Sequence, residues 1–124
     1  MTRINVGVHP SELPDKFLLA ENHEILRIPM ALIRGKYNLS GMPEKFTLGK
    51  GHVKFFYKRM TYLYLRYLAI LSECKKRGFQ TTDYSGTFAL TKALCPWAFV
   101  EDFRPEWRDR EIILQRFKEK GFEL

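Results

Sequence analysis

Two features in the first quarter of the chain have the residue types for amine chemistry. They are the start, Met1-Thr2-Arg3-Ile4-Asn5, and Glu24 on the segment that follows. A small residue at position 2 favours removal of Met1, which would expose the α-amino group of Thr2. An amine of this kind titrates near 7.7–8.0, against about 10.4 for a lysine. At neutral pH roughly 10–20% of it is unprotonated and nucleophilic. It can attack a sugar carbon or a carbonyl and form a Schiff base when a carboxylate stands beside it. Many chains begin Met-Thr and make no use of it, so the amine carries meaning only together with its partners.

Those partners must be positioned by helices. Ser11 can cap a first helix and Pro14 suits its first turn. Leu18, Leu19, Ile25 and Leu26 share one arc at 100° per residue, with Asn22 unexplained in its middle. Lys16, Phe17, Ala20, Glu21, Glu24 and Arg27 fall on the other side, and Pro29 should interrupt the helix before residues 30–36 resume it. Two readings of Glu24 stand open. In one, Glu21, Glu24 and Arg27 form a solvated face with an ion pair worth tenths of a kcal/mol. In the other, Glu24 faces a cationic groove and serves the terminal amine as acid, base and charge stabiliser.

A loop rich in glycine and proline occupies residues 38–50. The spacing of Val53, Phe56, Met60, Leu63, Tyr64, Tyr67, Leu71 and Cys74 predicts one long helix over 51–77, closed by Gly78. Lys54, Lys58, Arg66 and Lys76 point away from that stripe. Phe55, Tyr62 and Leu65 lie on the far side too, which predicts a helix covered on two faces. Residues 79–104 show no sustained period beyond a short turn near Thr91 to Leu94. A last helix over 105–120 ends at Gly121, with a stripe of Trp107, Ile113, Leu114 and Phe117, and with Arg116 and Lys120 on another face. No stretch alternates as a strand does, so the class is all-α.

At 124 residues the chain is read as one domain, 1–124, with 45% hydrophobic and 15% aromatic residues to build a core. The 21 Lys and Arg against 14 Asp and Glu leave a formal charge of +7. Eleven of those cations lie from Arg34 to Arg77, against only Glu44 and Glu73. Such a balance suits a polyanion, nucleic acid before acidic membrane. No run approaches the ~20 apolar residues of a membrane span, and nothing resembles a signal peptide. Cys74 and Cys95 form no metal-ligand spacing and read as reduced structural thiols, which places the chain in the cytoplasm.

Three sets of residues, in order, resemble the phage pyrimidine-dimer DNA glycosylase (endonuclease V) family. They are Met1-Thr2-Arg3-Ile4-Asn5 with Ser11-Glu12-Leu13; Leu18-x-Ala20-Glu21-x-x-Glu24 with Arg27; and Leu48-Gly49-x-Gly51-His52-Val53-x-Phe55-Phe56-Tyr57 with Glu73-Cys74-x-Lys76-Arg77-Gly78-Phe79. The resemblance implies a compact fold of three main helices with long irregular connections. It implies a monomer acting on damaged double-stranded DNA without metal or cofactor, in host cytoplasm or nucleoid if phage-encoded. The terminal amine of that family attacks C1′, releases the damaged base, and leaves a Schiff base that is resolved by β-elimination. Carried onto this chain, the nucleophile is Thr2 and the essential glutamate is Glu24. Arg3, Arg27, Arg116 and Lys120 fall on DNA-contacting positions. His23 replaces an arginine of the family and is read as a DNA contact, Phe17 replaces a histidine, and the family's aromatic tail is missing. His52 is given no catalytic role. Two rival readings follow from these departures. One keeps the mechanism but acts on another modified base or on abasic sites only; the other is a non-catalytic DNA-binding protein that kept the fold.

Overall fold

The N-terminal segment is extended, and Ile4, Val6 and Val8 are all buried in the core without pairing as a strand. The computed structural model describes residues 2–124, so the expected loss of Met1 lies outside the described residues. A 3₁₀ turn at Pro10–Glu12 follows, closed by a capping box between His9 and Glu12. Gly7 makes this approach possible. Its φ is +79°, and a Cβ there would sit 2.9 Å from the Arg110 Cβ. Arg110 then donates to the Gly7 carbonyl at 3.0 Å and to Glu12 at 2.6 and 2.8 Å, and this bonding holds the Glu12 carboxyl down at about 2. Gly7→Ala is expected to cost about 1–3 kcal/mol in urea unfolding. A loss below ~0.5 kcal/mol would show that the segment re-docks without strain.

Helix α1 spans Asp15–Glu24 and α2 spans Arg27–Ile33. The interruption expected at Pro29 falls earlier, at Ile25 and Leu26. Pro29 stands in the first turn of α2, where its missing N–H breaks no intrahelical bond. The buried face of α1 carries Leu18 and, unexpectedly, Glu21. Asn22 leaves its Oδ1 buried without a hydrogen bond, and we have no physical account of it.

The single helix expected over 51–77 is two helices, α3 at His52–Phe55 and α4 at Met60–Lys76. The break has a packing cause. Phe55, Phe56 and Tyr57 are consecutive and all buried, whereas one helix would spread them over some 200° of its surface. Breaking at 56–59 turns Phe55 to Phe46 and Phe103, Phe56 to Phe46 and His52, and Tyr57 to Tyr37. Arg59 seals the end of α3: it donates to the Phe55 carbonyl at 2.7 Å and lies over the Phe55 ring. Tyr62 is covered by Phe103, but Leu65 is 59% exposed, so the second face of α4 is only partly covered. Arg66, expected to point outward, is buried, for a reason given below.

Residues 79–104 contain a full helix, α5 at Gly86–Leu94, and a 3₁₀ turn at Pro96–Phe99. Its period was hidden because only Phe88 and Thr91 turn inward, while Leu90 and Leu94 stay exposed. Helix α6 spans Trp107–Glu119 and buries Asp109, Ile113 and Phe117. Trp107 leaves the expected stripe, 67% exposed, with its indole N–H bonded to Glu111. Helix α1 packs on α4, α2 on α5, and α5 on the second 3₁₀ turn. The architecture is all-α, with more helical segments than the three expected and no paired β-strand among the described residues; the extended N-terminal segment is a single strand that pairs with no other. No helix among them is long and apolar enough to cross a membrane.

Candidate active site

The extended N-terminus lies along α1 and is held residue by residue. The Arg3 backbone N–H donates to Glu24 Oε1 at 2.9 Å. The Thr2 nitrogen is one peptide unit away, under ~4 Å from that Arg3 nitrogen. The Ile4 N–H donates to His52 Nε2 at 3.0 Å. Asn5 donates through Nδ2 to Glu21 Oε1 at 2.7 Å and accepts at Oδ1 from Arg116 Nη2 at 2.6 Å. One strand thus touches α1, α3 and α6 in succession.

Beneath it lies an ion pair sealed from water. Arg66 grips Glu21 with two bonds, Nε to Oε2 at 2.8 Å and Nη2 to Oε1 at 2.9 Å, and its Nη1 donates to the Val8 carbonyl. The side chains are 6% and 1% exposed. Burial pulls against the charge on Arg66, yet Glu21 beside it carries the guanidinium above its ordinary value. The pair makes Glu21 a fixed acceptor for Asn5, and Asn5 in turn a fixed acceptor for Arg116. A structural ion pair therefore sets the geometry of the crevice above it.

That crevice is lined by Arg3, Asn5, Phe17, Glu24, Arg116 and Lys120, among others. Of its two carboxylates, Glu21 is held by Arg66, and the remaining Glu24 stands among the cations Arg3, Arg116 and Lys120. Burial and then the nearby Arg3 pull the Arg116 guanidinium down from its usual value. Lys120 is lowered by desolvation and then by Arg3 and Arg116. Cations that depress one another in this way gain free energy from an anion placed among them. Phe17 forms one wall, edge-on to Phe117 at 4.8 Å and to Phe122 at 4.9 Å.

The structure therefore brings together Arg3, Glu24, Arg116 and Lys120, with Thr2 joined to the crevice through its peptide bond to Arg3. It does not bring His23 and Arg27 into the same crevice. They line another groove with Arg34, Lys36 and Tyr84: His23 is one residue, about 100°, around α1 from Glu24, and Arg27 opens α2 beyond the break at 25–26. Asn5, Glu21, Arg66 and His52 were missed as parts of this assembly. A signal existed for one of them only: Arg66 shares its helix face with Phe55, Tyr62 and Leu65, large apolar side chains that point to burial. Among the described residues no group of three or more His, Cys, Asp or Glu is arranged to hold a metal ion.

Residues 1–84, 84 of the 124 in the chain, match the family model described as pyrimidine dimer DNA glycosylase, a family of DNA-repair enzymes. The matched region contains Thr2, Arg3, His23, Glu24 and Arg27; Arg116 and Lys120 lie beyond it.

Proposed function

Because the chain belongs to the pyrimidine dimer DNA glycosylase family, and is thereby a DNA-repair glycosylase, we propose that it removes dimer-linked bases with the amine of Thr2 and then cleaves the strand as a lyase. The unprotonated amine attacks C1′ of the damaged nucleotide and the C1′–N bond to the base breaks. Glu24 takes the proton that the amine loses and stabilises the positive charge developing on the sugar. Glu24 passes that proton to O4′ as the sugar ring opens to a protonated Schiff base, which restores the carboxylate, and the departing base takes its proton from water. Loss of a C2′ proton, with Glu24 as base, expels the 3′ phosphate by β-elimination. Water then hydrolyses the imine, regenerating the amine and freeing an unsaturated aldehyde on the cleaved strand. Arg3, Arg116 and Lys120 hold the phosphates beside the reacting sugar, and His23 and Arg27 extend the cationic track along the neighbouring groove. Reaching C1′ requires a kinked duplex with a nucleotide displaced from the stack. Since Arg3, Glu24, Arg116 and Lys120 all come from one chain, one domain acting as a monomer suffices.

The observation that carries this reading is the 2.9 Å bond from the Arg3 N–H to Glu24, which draws the start of the chain to a carboxylate within a ring of cations. Phe17 in the crevice wall favours a second reading, the same chemistry on another modified base or on abasic sites only. One experiment separates them. The mature protein is incubated under borohydride with dimer-containing and abasic duplexes, and adducts are mapped by mass spectrometry. An adduct at Thr2 with both is the expected result. An adduct with the abasic duplex alone supports the second reading. DNA binding with no adduct on either duplex sinks the enzymatic mechanism.

A further inference from the structure

The proposed nucleophile sits on the N-terminal strand, so whatever fixes that strand governs the amine; the inference below rests on that reading. Several side chains meet the strand's backbone, Arg66 and Arg110 toward its far end; next to the Glu24 contact, at Ile4, the partner is His52 on α3. Its Nε2 accepts the Ile4 N–H at 3.0 Å, a buried contact across 48 positions of sequence. Its Nδ1 stands 2.9 Å from the Thr47 carbonyl, a group that can only accept. Nδ1 therefore carries the proton and Nε2 the lone pair. The ring is packed edge-on between Phe46 and Phe56, with centroids 5.4 and 5.5 Å away, and is 4% exposed.

We infer that His52 is a positioning residue: its neutral Nδ1–H tautomer holds Ile4, and through it Arg3 and Thr2, against Glu24, and protonation at Nε2 releases the strand. A protonated Nε2 is a donor facing a donor, and the Phe46 and Phe56 rings packed against the imidazole offer no oxygen or nitrogen to accept the new hydrogen. The surroundings are set against that protonation at neutral pH. Burial lowers the His52 value from 6.5; the Thr47 carbonyl opposes this, Arg116 on α6 adds to it, and Glu21 on α1 opposes it again while held by Arg66. The sign follows from a value lower in the folded chain than in the unfolded one. Docking of the strand is complete above about pH 6.5 and is lost as pH falls through the folded value.

The test reads the strand directly, on the full chain labelled with ¹⁵N, by ring-nitrogen shifts and by amide exchange corrected for intrinsic rates. At about pH 7.5 the ring should show the Nδ1–H tautomer with a protected Ile4 amide. Protection should fall by about tenfold or more as the ring titrates. Glutamine can place its Oε1 where Nε2 lies, an acceptor that does not titrate. His52→Gln should therefore keep Ile4 protected through the same acid range, whereas His52→Ala should lose protection at every pH. Should the alanine variant fail to fold, the comparison of wild type with His52→Gln still decides. An Nε2–H tautomer, or an Ile4 amide whose protection is unmoved while the ring titrates, overturns the inference. The measurement needs no DNA and no turnover, so its failure is separate from a failure of the trapping experiment.

Discussion

Glu24→Gln should reduce base release from a dimer-containing duplex by roughly 10²–10⁴-fold. The same variant should keep its folding stability to within ~1 kcal/mol. The two expectations come from the same contact. Glutamine retains an oxygen that can accept the Arg3 N–H where Glu24 Oε1 now does, at 2.9 Å, so the strand stays docked. What disappears is the negative charge and the basicity, the two properties that the proposed chemistry uses. Initial rates of base release, set beside urea unfolding of both proteins, make the test. Full activity in a folded Glu24→Gln protein would remove Glu24 from the mechanism. A collapse of stability would instead show that its role is to hold the strand.

Arg66→Met is expected to cost about 3–5 kcal/mol in urea unfolding, because it leaves the Glu21 carboxylate buried without its cation. Both side chains are nearly sealed from solvent, so water cannot make up the loss. The double replacement Glu21→Gln with Arg66→Met removes both charges and should recover most of that stability. The amide oxygen at position 21 can still accept from Asn5 Nδ2, which now bonds Glu21 Oε1 at 2.7 Å. The double variant therefore separates the energetic cost of an orphaned charge from the geometric service that Glu21 gives to Asn5. A single variant that loses less than ~1 kcal/mol would mean that the pair contributes nothing net to the fold.

Much of the helical frame was legible because its ends and faces are written locally. The terminal glycines Gly78 and Gly121 do follow α4 and α6, and the core stripe of α4 from Met60 to Cys74 is buried or half-buried as its spacing implies. Three things were hidden, each for a physical reason. The break between α3 and α4 arises from three consecutive large rings that must all be buried, which the spacing of a single helix cannot express. Helix α5 lacks a visible period because its outward positions are as apolar as its inward ones. Arg66 points away from the apolar stripe, and Glu21 falls on a charged face whose solvated reading stays open; only the fold shows that the two meet across 45 positions.

The candidate site divides in the same way. Glu24 stands out in the chain itself, Arg3, Arg116 and Lys120 through its resemblance to the family, and all four gather in one crevice. Their assembly through Asn5, Glu21 and His52 was not legible, since hydrogen bonds between distant polar side chains leave no periodic trace. His23 shares α1 with Glu24 but, like Arg27 at the start of α2, lines a different groove. Closeness in sequence therefore did not imply a shared crevice.

The N-terminal strand also has a consequence for the order in which the chain is made. Its first residues leave the ribosome first, yet Ile4 finds its acceptor only at position 52 and Asn5 finds Arg116 only across 111 positions. A nascent chain that already carries Thr2 and Glu24 has no complete crevice until α6 has been translated. On the proposed mechanism, reactivity toward DNA therefore waits until α6 has joined the fold, and a chain cut short before position 116 lacks the Asn5–Arg116 bond of the finished crevice.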